Sequence, residues 1–505
     1  MRILFAAALT FTTPLAAQET TETDHFYDAA SKSDEELQAK LDDEDDAWIE
    51  RPCELGVPLF RELVARSPEN QHLNRGELFA SALCDDVQGE YAAGLDKVGQ
   101  LETQWPDYDF SSLGLYFAFR ADDALEYLSR LRALDDSQLA AFDPTRFWQG
   151  ARMINRVGSS DAFDDLMLEW VDARRLGIVP ADLQGGISTS ALRAAIRQDR
   201  TEIASQLLAT IRQPSTYIDL LANREYEAVW PLVVERAGPH LDRITEEYVF
   251  WALGRLENSS EDRDRFSTAA HALHFAGRFE DAIALAQQWR EREGAMDSIE
   301  EGDGWALNIE AYANDALGHR QKADAIFDQL AALDPAEHPW VVNFVINRAS
   351  RLVGQERWDE GLAAAGLART VAAEWGSPFA RMIVARDHVC ALTALDRSDE
   401  ITADLAYLRD NRTESYELAV QAHQCVGAFD EATTMLLEGI RDERYRKGVV
   451  HALQSNDFEL FYTSSELPDP GELLDESAEL RAEFEQHARR IPEEFTPTAT
   501  LRAKR

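Results

Sequence analysis

Apolar side chains return every third or fourth residue through most of this 505-residue chain. That is the period of a helix with one buried face. Leu115–Leu134 and Ala191–Ile211 carry it plainly, and no run of strict alternation marks a strand. One unit recurs within the helical pattern: a small residue, a bulky apolar residue four positions on, and a proline twelve positions on. It reads Gly56–Phe60–Pro68, Gly94–Val98–Pro106 and Ala323–Phe327–Pro335. A small side chain lets a neighbouring helix cross closely, the residue one turn later fills the same seam, and proline ends the helix. Repetition of such a unit predicts an all-α array of stacked helix pairs.

A second signal marks the joints. Gly89, Tyr91 and Gly94 are matched by Gly277, Phe279 and Ala282, by Gly427, Phe429 and Ala432, and in a variant by Trp358 and Gly361. Glycine turns the chain between two helices; the aromatic starts the second helix and packs back over the first. These units resemble the tetratricopeptide repeat, a helix-turn-helix of about 34 residues. Residues 276–285 (Ala-Gly-Arg-Phe-Glu-Asp-Ala-Ile-Ala-Leu) and 426–435 (Val-Gly-Ala-Phe-Asp-Glu-Ala-Thr-Thr-Met) look like its second-helix start, and Leu333-Asp334-Pro335 like its end. The likeness covers about 48–108 and 265–443. The family's first-helix tryptophan and leucine-glycine are mostly missing, and the anchors Ala282, Ala323 and Gly361 are unevenly spaced. The resemblance implies an α-solenoid whose concave face, lined by the first helix of each pair, recognises other proteins.

The chain divides on these signals into residues 1–17, a signal peptide; 18–47, an acidic leader with a first helix opening at Ser33-Asp34-Glu35-Glu36; 48–110, N-terminal repeats; 111–264, degenerate helical repeats; 265–445, C-terminal repeats; and 446–505, a capping helix and tail. In the middle part, breaks are expected at Asp143-Pro144, Gly158-Ser159-Ser160, Gly185-Gly186, Pro214 and Gly238-Pro239. Glu472–Arg490 reads as an amphipathic helix that covers the last apolar face of an open-ended array, and 491–505 as a disordered tail.

Arg2, the apolar stretch Ile3–Phe11 and the small residues Pro14-Leu15-Ala16-Ala17 before Gln18 have the order of a secretory signal peptide. With no cysteine at the cleavage point and no later span of membrane-crossing length free of charge, the mature protein is expected to be periplasmic or secreted, without an integral membrane segment. Export changes the meaning of the four cysteines, because disulfides form outside the cytosol. The midpoint of Cys53 and Cys84 falls at the Ser67-Pro68-Glu69-Asn70 turn, so an antiparallel pair of helices puts both at one level. Cys390 and Cys425 are 35 residues apart, about one repeat, which places them on equivalent helices of successive repeats. Bridges Cys53–Cys84 and Cys390–Cys425 are therefore predicted.

The formal net charge is −42, and nearly all positive charge is arginine. Such a field repels nucleic acid and favours a basic protein or peptide partner. No reaction centre stands out, and neither a catalytic residue nor a cofactor is expected. His271 and His274 lie one turn apart without the glutamate that zinc proteases require. His388-x-Cys390 and His423-x-Cys425 could supply four zinc ligands, but residues two apart on a helix point about 200° from each other. The Asp42–Asp46 run lacks a calcium loop's spacing, and Gly158-Ser159-Ser160 lacks the second glycine of a hydrolase elbow. Counting back from the small anchors by the family pattern, the ligand groove should hold Trp305, Asn308, Tyr312 and Asp315, with His271, His274 and Phe275, Asn347 and Arg351, and Gln421 and Gln424 from neighbouring pairs. Amides, an arginine and aromatics suit an extended peptide. The protein's own terminal segment could fill the same face. The sequence thus points to an exported scaffold or adaptor. A helical enzyme acting on a cell-envelope polymer and a self-assembling solenoid are the alternatives, and oligomeric state is left open.

Overall fold

A computed structural model describes residues 28–41, 47–257, 262–292, 294–455 and 465–497. The expected signal peptide, the start of the leader, the Asp42–Asp46 acid run and positions 498–505 of the expected tail lie outside the described residues. The helices of eight residues or more are α1 (Asp34–Leu41), α2 (Val57–Arg66), α3 (Gln71–Gln88), α4 (Tyr91–Gln104), α5 (Ser111–Arg120), α6 (Ala124–Ala133), α7 (Pro144–Arg156), α8 (Ser160–Asp172), α9 (Ala181–Arg197), α10 (Pro214–Ala222), α11 (Trp230–Ala237) and α12 (Asp242–Glu257). They continue as α13 (Arg263–Phe275), α14 (Phe279–Arg290), α15 (Glu301–Ala316), α16 (Arg320–Ala331), α17 (Val341–Gly354), α18 (Trp358–Trp375), α19 (Pro378–Ala394), α20 (Thr402–Asp410), α21 (Tyr416–Cys425), α22 (Phe429–Arg441), α23 (Glu443–Ala452) and α24 (Ala478–His487). Among the described residues there is no strand, only a bridge between Asn223 and Ala488. The all-α array of consecutive helix pairs is therefore the fold. The chain forms two compact units: residues up to Asp135 with Arg152–Val157, and Asp136–Ala151 with Gly158 onward.

The local signals act as their chemistry requires. Ser33 and Glu36 cap α1 reciprocally, the Glu36 carboxylate accepting the Ser33 N–H at 2.8 Å and the Ser33 hydroxyl accepting the Glu36 N–H at 3.3 Å. Tyr91, Phe279, Trp358 and Phe429 each open a second helix. α2, α4 and α16 stop short of Pro68, Pro106 and Pro335.

One device joins pair after pair. The first helix ends on a left-handed residue, and the next N–H returns to the carbonyl five residues back, closing the helix end. These bonds run from Glu90 to Asp85, Asp123 to Ala118, Arg200 to Ala195, Arg278 to Leu273, His319 to Asn314, Arg357 to Leu352, Arg397 to Leu392 and Ala428 to His423, all within 2.7–3.0 Å. Glycine takes the left-handed position at 89, 277, 318 and 427, but Asp122, Asp199, Glu356 and Asp396 take it elsewhere. Leu115–Leu134 and Ala191–Ile211 are each divided by such a joint. The expected break at Gly185-Gly186 does not occur: both residues lie inside α9, where a Cβ on Gly186 would overlap the Trp148 ring. That pair serves close packing rather than a turn.

In the first unit, the Phe117 ring of α5 lies on Gly94 of α4, where no Cβ fits. Trp48 meets Phe60 and Phe79 edge-on, with ring centroids 5.0 and 6.2 Å apart. Cys53 and Cys84 are bridged beside this core, Cα atoms 4.7 Å apart. In the second unit, Val342, Val345, Ile346 and Ala349 of α17 interdigitate with Ala364, Ala365, Ala368 and Ala372 of α18. Cys390 of α19 and Cys425 of α21 form the other bridge, Cα atoms 5.2 Å apart.

The second unit ends differently from the open array expected. α24 does cover the last pair, through Arg441 to Glu479 and Glu483 at 2.9 and 3.2 Å. But α23 also reaches back to α10, where Lys447 and His451 meet Asp219 at 3.3 and 3.2 Å. Residues 488–490, expected above as the end of the capping helix, and 491–496, expected as disordered tail, run beside residues 221–241 with Ile491 and Phe495 buried. Contacts pass from α10 through the successive pairs to α23 and α24 and return to α10.

Candidate functional site

The expected groove residues share a face of their helices, as their spacing requires, and the structure brings most of them together. The first helices of successive pairs, α15, α17, α19 and α21, stand against one another there. Asn347 Nδ2 donates to Asn308 Oδ1 at 3.1 Å. The Arg351 guanidinium grips both carboxylate oxygens of Asp315, one of them at 2.7 Å, and reaches Asp324 at 2.6 Å. Gln355 adds a donor to Asp315 at 3.2 Å, and Arg357 a second cation to Asp324 at 2.8 Å. In the next seam Ser350 donates to Asp387 at 2.6 Å, while Arg386 holds Asp387 at 2.8 Å and the Gln421 amide oxygen at 2.6 Å.

This ladder is buried. The Arg351 and Asp315 side chains are 1% and 5% exposed, and Asn308, Tyr312, His274, Asn347 and Gln421 are buried with them. The expectation that these side chains line an open groove is therefore corrected: adjacent first helices pack closely enough that the polar residues become the seam. Trp305 and His271 alone of the named set keep part of their surface. Trp305 stands edge-on to Phe344, ring centroids 5.1 Å apart. Burial by itself would lower the Arg351 pKa; the hydrogen bonds it donates to Asp315 and Asp324 outweigh it and hold the pKa above the usual value. Burial raises that of Asp387 despite Arg386 and Ser350.

The other candidates have ordinary partners. Burial pushes His271 down to about 4 and His274 down to about 3, so both are neutral imidazoles in the core. With the cysteines joined to each other, His388 turns to Asp404 at 2.6 Å and His423 to its own helix at the Ala419 carbonyl, 2.8 Å.

Two features escaped sequence reasoning. Glu310 of α15 is 1% exposed and pushed up to about 7 by burial, against the pull of Arg290 and Lys322. One of its oxygens pairs with Arg290 and the other is buried without a hydrogen-bond partner. Its neighbours along the helix, Ala306, Leu307 and Ala313, are apolar and buried, which is the signal that marks it. The second is a non-helical stretch, Ser465–Asp469, laid across the ends of three first helices. Glu466 N–H donates to the Gly354 carbonyl at 2.8 Å, Leu467 is buried against Val353, Cys390 and Ala391, and Gln424 donates to the Asp469 carbonyl at 3.2 Å. Gln424, expected to meet a ligand, thus meets the chain's own terminal segment.

Among the described residues no group of three His, Cys, Asp or Glu side chains is placed to hold a metal ion, and no helix is long and apolar enough to cross a membrane. No protein-family model matches the chain, and no characterised protein matches it in sequence.

Proposed function

We propose that this is an exported, tetratricopeptide-like scaffold that binds an extended segment of a protein partner. The observation that carries the reading is Ser465–Asp469: a chain segment held on the ends of stacked helices by hydrogen bonds to its main chain and one apolar anchor. Repeat arrays present extended surfaces to their partners, and where a peptide binds through its main chain, those bonds give affinity and side-chain pockets give specificity. The net charge of −42 selects a basic partner and speeds its encounter. Both cysteine pairs are bridged, which fits an oxidising compartment such as the periplasm. No cofactor is needed. The polymer-cleaving alternative has less support, because the desolvated acid Glu310 has cations, Arg290 and Lys322, as its charged neighbours rather than a second carboxylate.

The test is photocrosslinking in intact cells from a reactive residue placed at Trp305, which with His271 keeps part of its surface beside the ladder. One envelope protein should be captured, and the purified pair should bind with an affinity that falls as salt rises. Absence of any specific adduct, or a captured protein that does not bind when purified, would overturn the reading.

A further inference from the structure

The return of residues 488–496 to α10 has the chemistry of peptide recognition rather than of core packing. Its main chain is read like an added strand. Ala488 bridges Asn223, Arg489 N–H donates to the Ala222 carbonyl at 2.9 Å, and the Gln454 side chain both donates to the Arg489 carbonyl at 3.2 Å and accepts from Ile491 N–H at 3.0 Å. Three side chains serve as anchors. Arg489 lays its guanidinium 3.6 Å from the centre of the Trp230 ring and donates to the Leu221 carbonyl at 2.8 Å. Ile491 and Phe495 are buried. His240 then donates to the Thr496 carbonyl at 2.8 Å.

The receiving side has packing and hydrogen bonds of its own besides those to its occupant. Tyr217, Ile218, Leu220, Tyr226, Val229 and Val233 form its own buried interior. The Trp230 indole is fixed by donating to the Leu220 carbonyl at 2.9 Å. His240 and Leu241 are both left-handed at φ 56° and 59°, a strained conformation for two successive non-glycine residues, and it lies where the occupant's last contact is made.

The occupant fits less well than its seat. One terminal nitrogen of Arg489 is buried without a hydrogen-bond partner, and burial together with Arg224 lowers the Arg489 pKa. A segment selected only as core would satisfy that donor.

We infer that the seat made by the end of α10, residues 223–230 and the Gly238–Leu241 turn is a peptide-binding site, held closed by the chain's own C-terminal segment. Its ligand is a stretch of a partner protein with arginine, an aliphatic residue two positions on, and an aromatic six positions on, extended at the first two anchors and closing in a single 3-10 turn at the third, as Glu493–Phe495 does. The cationic anchor accords with the acidity of the protein. Tethering gives the internal segment an effective concentration near millimolar, so it acts as the competitor that a partner must displace. This deepens the reading above by naming a second contact and its chemistry, and it rests on that reading for there being a partner at all.

The experiment uses the full chain, its Arg489→Ala/Phe495→Ala variant, and a fluorescent peptide of residues 486–497. Hydrogen exchange of the variant should show residues 488–496 losing protection while α10 and α12 keep theirs. The peptide should then bind the variant at least tenfold more tightly than the wild type, and a peptide with alanine for the first arginine after His-Ala should bind at least tenfold more weakly. The inference is overturned if α10 loses protection together with the segment, if the segment stays protected, or if the vacated seat takes no peptide at millimolar concentration. Peptide-insensitive, concentration-dependent doubling of mass would also overturn it, assigning the seat to a second copy. Crosslinking at Trp305 does not pass through this seat, so a failure of the peptide experiment is distinguishable from a failure of the reading it rests on.

Discussion

Replacing Arg351 by methionine probes the polar seam most directly. Arg351 gives Asp315 its bidentate partner in a site where the two side chains are 1% and 5% exposed. The change keeps most of the apolar volume but leaves the Asp315 carboxylate with one protein donor, Gln355 at 3.2 Å. Breaking a buried ion pair from one side costs about 3–5 kcal/mol, because the remaining charge is neither solvated nor paired. The Gln355 contact and the retention of Arg357 on Asp324 favour the lower end, about 3 kcal/mol. At about 1.4 kcal/mol per factor of ten, that is a loss of roughly two orders of magnitude in protection. A chain of two compact units need not unfold in one step, so the assay is hydrogen exchange in peptides from α15 and α17 rather than a single melting curve. Adding Asp315→Leu to Arg351→Met should restore most of the protection, since an apolar pair of similar volume replaces a buried ion pair at little net cost. A loss below threefold in the single variant, or a double variant no better than the single, would refute the argument that charge burial governs this seam.

Glu356 holds a left-handed joint that glycine holds elsewhere, so Glu356→Gly should stabilise the α17–α18 pair by about 1 kcal/mol, seen as slower exchange in both helices; no gain would show the joint is unstrained. Glu310 has its pKa raised to about 7 from an ordinary 4.5. Between these values the unfolded chain loses its proton while the folded protein keeps it, so stability falls as pH rises through the window. Glu310→Gln should therefore match the wild type at pH 4 and exceed it by about 3 kcal/mol at pH 8; a pH-independent difference would contradict the burial argument. Replacing Cys390 and Cys425 together by serine should cost on the order of 3–4 kcal/mol by the loop-closure estimate, read as lost protection in α19 and α21, whereas in the wild type all four cysteines should be unreactive to thiol reagents. Gly94→Ala should cost about 1–3 kcal/mol by collision with Phe117 and be relieved by Phe117→Val, whereas Gly99→Ala on the same helix, with open space around it, should stabilise slightly; equal effects would discount the close crossing.

The sequence carried the fold where one residue type performs one task. Proline at 68, 106 and 335 ends helices, glycine at 89, 277 and 427 turns them, and the aromatics at 91, 279, 358 and 429 start the next. Between residues 111 and 264 the joints at Asp122 and Asp199 use the same backbone geometry with side chains that give no such signal, and Gly185-Gly186 gives the signal without the turn. The two bridges were legible because spacing alone fixes the level of a cysteine on paired helices. The site was legible only as a shared face. Helical period shows that Asn308 and Asp315 point the same way, but not that Asn347 and Arg351 of the next helix press into them, because that distance is set by tertiary packing. The contact of Arg489 with Trp230 joins positions 259 residues apart and has no local trace at all.

An array with free ends can gain or lose a pair by duplication or deletion, since each new member meets only its neighbour. Once Ala488 must land on Asn223, the number of members between them is fixed by geometry. Relatives of this protein would then vary in loop length and in what precedes α10, while the circuit from α10 to α24 would keep its count. Length within that circuit becomes as constrained as any buried side chain.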